Sequence, residues 1–227
     1  MDRLVLFHGS DIIVEAPFPG GGNPRNDYGP GFYCTLDREM AREWACSGKG
    51  QGAFVNHYAL EPSFRLNVFS LTRECHILNW LAVLVKNRSF SLTAPLPLKA
   101  RDYLLDTFLP DLTPYDILTG YRADDSYFAF AGDFLNNTLS LSQLQRAMHL
   151  GRLGEQVVIK SERAFESLTF VTAESVDQHI YGPRRAARDR KAREDFQKEK
   201  VSGDVSGAIY MIDILREKWQ NDDPRLR

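Results

Sequence analysis

Three stretches of this chain set a chemically useful side chain on a backbone able to present it. The first is His8, which ends the apolar run Leu4-Val5-Leu6-Phe7 and is followed by Gly9 and Ser10. An imidazole beside a glycine at a strand's end makes a ligand-facing edge; the same residues also read as a simple turn cap. The second is Asp27-Tyr28-Gly29-Pro30-Gly31-Phe32-Tyr33-Cys34-Thr35. Its two glycines permit positive φ or close approach to a ligand, and Pro30 stiffens the turn between them. Such a turn holds the Tyr33 ring rigidly at a pocket wall, or simply joins two core elements. The third is Glu155-Gln156 at the head of Val157-Val158-Ile159. Neighbouring strand residues face opposite ways, so only one of Glu155 and Gln156 can share a wall with Tyr33.

A fourth group, the adjacent carboxylates Asp124 and Asp125, follows the apolar run Tyr115–Gly120. They can position a substrate or begin a helix. Further oxygen ligands at EF-hand-like spacing are missing, so no metal site is expected there.

Short alternating or apolar runs predict strands at Leu4–Phe7, Ile12–Val14, Phe32–Thr35, Ala53–Leu60, Phe64–Phe69, Tyr115–Gly120, Glu155–Lys160 and Leu168–Val171. Helical spacing predicts helices over 37–46, with Met40, Ala41, Trp44 and Ala45 on one face, and over 74–86, 99–109 and 127–134. Pro95 and Pro97 read as chain breaks. Ser140-Leu141-Ser142-Gln143 has the form of a capping box opening another helix. Ser161–Ser167 reads as a short helix. The glycine- and proline-rich segment 17–26 is a loop that wraps something or moves.

From about Tyr181 the composition shifts. Residues 184–200 carry eight basic against four acidic side chains, and Phe196 is their only large apolar residue. This predicts a solvated helix with too little core to stand alone, ordering on a partner or facing nucleic acid. Ser206–Trp219 predicts a helix that docks back through Ile209, Ile212, Leu215 and Trp219. The expected division is therefore residues 1–175 as one domain and 176–227 as a charged helical extension.

The bulk numbers narrow the partners. The 227 residues carry a net charge of −2, so nothing global draws the chain to nucleic acid or anionic membrane. Three cysteines without a CxxC pair argue against a disulfide framework or structural zinc. No apolar run reaches membrane-spanning length, and the first residues do not form a signal peptide; a cytoplasmic protein with no membrane partner is expected. P-loop, GxGxxG, HExxH and GxSxG motifs are absent.

Taken together, Leu6-Phe7-His8-Gly9-Ser10, Gly29-Pro30-Gly31-Phe32-Tyr33 and the late strand headed by Glu155-Gln156 resemble the ADP-ribosyltransferase superfamily, in the branch of diphtheria toxin and the poly(ADP-ribose) polymerases. More narrowly, His8–Ser10, Asp27–Thr35, Ala41–Ala45 and Tyr115–Asp125 resemble a bacterial family within it, often encoded beside small partner proteins in toxin–antitoxin arrangements. The resemblance covers about residues 4–171.

It implies an α+β fold, with a split antiparallel β-sheet core, surrounding helices and the C-terminal helical extension. It implies NAD as substrate, mono-ADP-ribosyl transfer to a macromolecular acceptor (protein or nucleic acid), and a small antitoxin protein as partner. By the same resemblance, Tyr33 stacks on nicotinamide, His8 and Ser10 reach ribose hydroxyls, and Gly9 grips the nicotinamide amide. Gly31, Phe32 and Thr35 line the same site, and Arg25 covers the pyrophosphate. Asp124 and Asp125 lie near the acceptor. Glu155 or Gln156 binds the ribose 2′-OH as oxocarbenium character develops; a carboxylate there also serves as base, whereas an amide is a poor one. NAD glycohydrolysis and non-enzymatic binding of NAD or ADP-ribose are the alternatives.

Overall fold

The computed structural model describes residues 3–46, 52–61, 65–122, 125–148, 150, 154–201 and 207–226. Its strands are β1 (Leu4–Ser10), β2 (Phe32–Cys34), β3 (Phe54–Leu60), β4 (Val68–Ser70), β5 (Ile117–Tyr121), β6 (Glu155–Ile159) and β7 (Leu168–Ser175). Its helices are α1 (Arg38–Ala45), α2 (Leu71–Glu74), α3 (Ile77–Asn87), α4 (Pro95–Phe108), α5 (Asp125–Leu135), α6 (Leu141–Ala147), α7 (Glu162–Glu166), α8 (Gln178–Val201) and α9 (Met211–Glu217). The architecture is mixed α and β, with sheet orders β1-β3-β7 and β2-β6-β5-β4.

The second sheet departs from the expected antiparallel pattern, because β4 and β5 run parallel, Val68 opposite Ile117. The intervening chain is long enough to include α2, α3 and α4, and so to make the crossover a parallel pair requires. Among the described residues the two sheets meet at one bridge. Phe7 and Thr35 exchange backbone hydrogen bonds, both 2.9 Å.

Val157, Val158 and Ile159 are apolar without alternation because both faces of β6 are covered. On one side Val157, Ile159, Cys34 and Ile117 pack with Leu6 and Tyr58 of the first sheet. On the other, Val158 and Leu118 join a larger core built by α1 and α3 to α6.

Several expected elements differ. β1 continues through His8, Gly9 and Ser10, which pair with Asn56, Val55 and Phe54. Ile12–Val14 is not a strand. The Asn56 amide donates to the Ile12 carbonyl and accepts from Val14 N–H at 2.9 Å, and the Tyr58 hydroxyl donates to the Val14 carbonyl. With its polar groups satisfied by side chains, that segment needs no strand partner. The strand expected over 64–69 shrinks to Val68–Ser70, its first residue lying outside the described residues.

The helix expected over 74–86 starts only at Ile77, as α3; the separate short helix α2 ends at Glu74, and Cys75 between them has an extended backbone (φ −129°, ψ 157°). The Asn79 side chain accepts from His76 N–H at 3.1 Å and so starts a fresh helix. Pro95 and Pro97 do not break the chain. They sit in the first turn of α4, where the missing N–H groups have no intrahelical acceptor to lose. The capping box at Ser140 forms as expected, with Gln143 N–H donating to the Ser140 hydroxyl at 3.2 Å. The last helix is only Met211–Glu217, and Met211 and Ile214 are its buried pair; Ser206 lies outside the described residues.

The basic segment does not stand off from the body. α8 docks on it through Phe196, whose ring centroid is 3.8 Å from that of Phe130, and through buried Ala192. Arg188 grips Glu43 of α1 with two hydrogen bonds, 2.8 and 2.6 Å, and Lys200 pairs with Asp133 at 2.7 Å. Phe196, Met211, Ile214 and Trp219 belong to the same core as α3. Phe196, with ion pairs and the Tyr181 hydroxyl bonded to Arg42 and Glu39, thus anchors a helix whose composition alone reads as free. Phe196→Ala is therefore expected to destabilise the whole chain by about 3–5 kcal/mol, the usual cost of emptying a buried Phe site. Chemical denaturation checks this; a change below about 0.5 kcal/mol would mean that α8 is not part of the core.

Candidate functional site

His8 and Tyr33, from β1 and β2, touch where the two sheets join, and Gln156 stands on the neighbouring strand β6. Just beyond the Phe7–Thr35 bridge, His8 Nδ1 lies 2.7 Å from the Tyr33 carbonyl oxygen. A carbonyl only accepts, so Nδ1 carries the proton and Nε2 keeps its lone pair. Burial pulls the His8 imidazole below its ordinary pKa, and the Tyr33 carbonyl opposes this more weakly, so the ring is neutral near pH 7. Phe32 lies against it, ring centroids 4.4 Å apart, and is itself edge-on to Tyr58. Phe32 therefore orients His8.

Tyr33 projects to the other face of β2, towards the helical core. Its hydroxyl donates to the Gly29 carbonyl at 2.6 Å and accepts from Tyr28 N–H at 3.1 Å. Gly29 has φ of +77°, a conformation that disfavours any side chain. The turn and the ring thus hold each other. Gly9 lets α1 approach this junction: a Cβ there would sit 2.0 Å from the Ala41 carbonyl oxygen and 2.6 Å from Ala45 N.

Helix α1 begins where Asp37 accepts from Met40 N–H at 3.1 Å. It is clamped from outside by Glu174, which pairs with Arg38 and, at 3.1 Å, with Arg42. Hydrogen bonds from Arg38 lead the causes that take the Glu174 carboxyl from its ordinary value of 4.5 down to about 2. A depressed carboxyl stabilises the fold above its unfolded pKa and loses that contribution as pH falls through the folded one. The thermal midpoint should therefore drop between about pH 4.5 and 2, and less steeply in Glu174→Gln, as a pH series by circular dichroism would show.

The alternative at the head of β6 resolves in space. Gln156 is 3 % exposed and shares the Tyr33 face of the sheet, whereas the Glu155 side chain is exposed. The Gln156 amide donates to Asp27 Oδ2 at 3.0 Å and to the Tyr121 carbonyl at 3.2 Å. Glu155 Oε1 instead accepts from the Thr72 hydroxyl at 2.5 Å.

Around Gln156 lies a buried polar network. The Tyr28 hydroxyl donates to the Tyr121 carbonyl at 2.7 Å and accepts from Trp80 Nε1 at 3.1 Å. Asp27 lies 3.8 Å from Arg88. Sequence reasoning did not single out Asp27, Tyr28 or Trp80 as site residues. Asp27 and Tyr28 stand inside the glycine-turn motif, which is a signal for them; Trp80 reads only as a core residue of an apolar helix.

The remaining expected residues are placed as follows. The Ser10 hydroxyl donates to the Ile12 carbonyl at 2.6 Å and accepts from the Asn56 amide at 3.0 Å. Gly31 packs against β6, where a Cβ would meet Val158 Cγ1 at 2.6 Å. Thr35 is buried, its hydroxyl accepting from Asp37 N–H at 3.1 Å. Arg25 is exposed on the loop before the glycine turn, its carbonyl accepting from Arg88 at 3.1 Å. Asp124 lies outside the described residues. Asp125 begins α5, and its side chain is likewise not described.

A cavity of about 240 Å³ is lined by Thr72, Cys75, His76, Trp80, Tyr121 and Gln145 among others. His8 and Tyr33 do not line it; Trp80 and Tyr121 are the wall between it and the Gln156 network. Among the described residues no group of three His, Cys, Asp or Glu side chains is arranged to hold a metal ion, and no helix is long and apolar enough to cross a membrane.

Comparison with curated proteins and with solved structures returns no match. A family model described as "Protein of unknown function (DUF3990)" matches residues 4–170, a span that holds β1, the glycine turn, α1 and β6. By that match, which takes in most of the chain and every site residue named above, the protein belongs to the DUF3990 family.

Proposed function

We propose that the chain is an NAD-dependent mono-ADP-ribosyltransferase with an ADP-ribosyltransferase-like fold, acting on a macromolecular acceptor. The observation that carries this is the 2.7 Å contact of His8 with the Tyr33 carbonyl at the join of two sheets, with Gln156 on the Tyr33 face of the neighbouring strand. Those are the residues on which the sequence resemblance rests: Tyr33 and Gln156 share one face of the sheet, and His8 touches the Tyr33 backbone from the other.

The chemistry assigned to each follows from its surroundings. Tyr33, with its hydroxyl tied to the turn, offers a fixed ring for a nicotinamide to stack upon. His8 Nε2 is an acceptor suited to a ribose hydroxyl. Gln156 has its N–H groups engaged by Asp27 and the Tyr121 carbonyl, which aims its oxygen as an acceptor for the ribose 2′-OH. That bond strengthens as positive charge develops on the ribose and neutral nicotinamide departs. The exposed Glu155 carboxylate lies at the next residue, on the outer side, where it can take a proton from an incoming acceptor. The companion expectations, a cytoplasmic protein opposed by a small antitoxin partner, belong to the same proposal.

The amide at Gln156, in place of an acid, favours a second possibility: a module that binds NAD or ADP-ribose without turnover. Incubation of the purified chain with adenine-labelled NAD and cell lysate separates the two. Transfer of label to protein or nucleic acid is expected. Nicotinamide release without labelled product would indicate a glycohydrolase, and bound but intact NAD a binding module.

A further inference from the structure

The Gln156 network contains a buried charge that its hydrogen bonds alone do not require. Gln156 is held through Nε2, which donates to Asp27 Oδ2 at 3.0 Å and to the Tyr121 carbonyl at 3.2 Å. An ionised carboxylate and a carbonyl only accept, so the amide cannot turn over without setting Oε1 against two oxygens. Oε1 has no donor among the described residues, and unlike His57 Nε2 or His76 Nδ1 it is not shut off from solvent. It is left as an acceptor with a fixed aim.

Asp27 is 6 % exposed. Arg88 lies 3.8 Å from its Oδ1, beyond a direct hydrogen bond. The Arg88 guanidinium is itself engaged elsewhere, donating to the Arg25 carbonyl at 3.1 Å and lying 4.2 Å over the Phe128 ring. Burying a carboxylate is costly unless a close cation compensates. An asparagine at this position could accept from the same Gln156 amide without that cost, so a purely structural contact has no need of the charge. The charge does have an effect on the amide it touches. A carboxylate accepting from an amide N–H draws electron density towards the amide oxygen, and hydrogen bonds in series strengthen one another in this way.

We infer that Asp27 is a positioning residue for the proposed reaction, and that through the Gln156 amide it supplies the negative charge that a carboxylate at position 156 would carry. This rests on the NAD reading above. As the bond from ribose C1′ to the nicotinamide nitrogen breaks, its electron pair leaves with nicotinamide. Positive charge gathers on C1′ and the ribose ring oxygen. Gln156 Oε1, polarised by Asp27, accepts from the 2′-OH more strongly as that charge grows. Neither Asp27 nor Gln156 gains or loses a proton.

The test uses the full chain, with nicotinamide release measured over a range of NAD concentrations and the thermal midpoint of each variant recorded. Asp27→Asn leaves an oxygen to accept from Gln156 and removes the charge. It should lower kcat about 10- to 100-fold, the usual loss on changing a group behind an active side chain, with KM little altered. Combining it with Gln156→Glu moves the charge across the hydrogen bond and reverses donor and acceptor. This double variant should exceed Asp27→Asn by about fivefold or more. A folded Asp27→Asn with wild-type kcat would overturn the inference, and so would a double variant no faster than Asp27→Asn. If Asp27→Asn does not fold, the double variant is set against Gln156→Ala: a kcat about fivefold or more higher supports the charge at this pair, and one no higher overturns it. Folded wild-type protein that releases no nicotinamide overturns the NAD reading itself, and this inference with it.

Discussion

Gly9→Val is expected to remove activity and to lower the thermal midpoint by several degrees. The position has no room: the first added carbon would lie 2.0 Å from the Ala41 carbonyl oxygen, and both nearest atoms belong to the backbone of α1. Backbone cannot rotate aside as a side-chain tip can, so α1 must shift bodily. Overpacking of this kind costs about 1–3 kcal/mol or more, which is about 2–12 °C for a chain of this size. The shift also moves α1 away from β1 beside His8, at the centre of the proposed site. Gly132→Ala is the control. Its added carbon meets nothing within 4 Å, and it lies within α5, so stability should hold or rise. Differential scanning calorimetry of the two variants, with nicotinamide release measured alongside, checks the contrast. Equal midpoints would show that α1 is not seated on Gly9.

Tyr33→Ala should cut NAD cleavage about 5- to 150-fold in kcat/KM, the range given by losing about 1–3 kcal/mol of ring stacking. Tyr33→Phe separates the ring from its hydroxyl. The phenylalanine keeps the platform but releases the Gly29 carbonyl and Tyr28 N–H, both bonded in the wild type at 2.6 and 3.1 Å. It should therefore lose about 1 kcal/mol of stability while keeping most of the rate. Steady-state kinetics on both variants, read with their denaturation curves, tests this. A Tyr33→Ala enzyme at the wild-type rate would show that the ring does not meet the substrate.

Why some of this was legible in the sequence and some was not follows from particular residues. Local chemistry was readable. The apolar stripe of α1 announced that helix, Ser140 and Gln143 announced α6, and the apolar Val157–Ile159 announced a strand. The three motifs of the site were legible because each is a short pattern of residue types. What sequence could not carry was set by partners far away. The face taken by Gln156 depends on β2 and β5 pairing on either side of it, and on Asp27 reaching its amide. The late start of α3 depends on Asn79 capping His76. The loss of the strand at Ile12–Val14 depends on Asn56 and Tyr58, more than 40 residues later. The docking of α8 depends on one phenylalanine finding Phe130 and on Arg188 finding Glu43, contacts invisible in a segment that counts as mostly charge.

Nicotinamide release from NAD by the purified full-length chain, followed over time, tests the central proposal most directly. Steady release by the wild type is expected, falling sharply in both Tyr33→Ala and His8→Ala while each variant remains folded. Intact NAD after prolonged incubation with folded wild-type protein, or release that both substitutions leave unchanged, would contradict it.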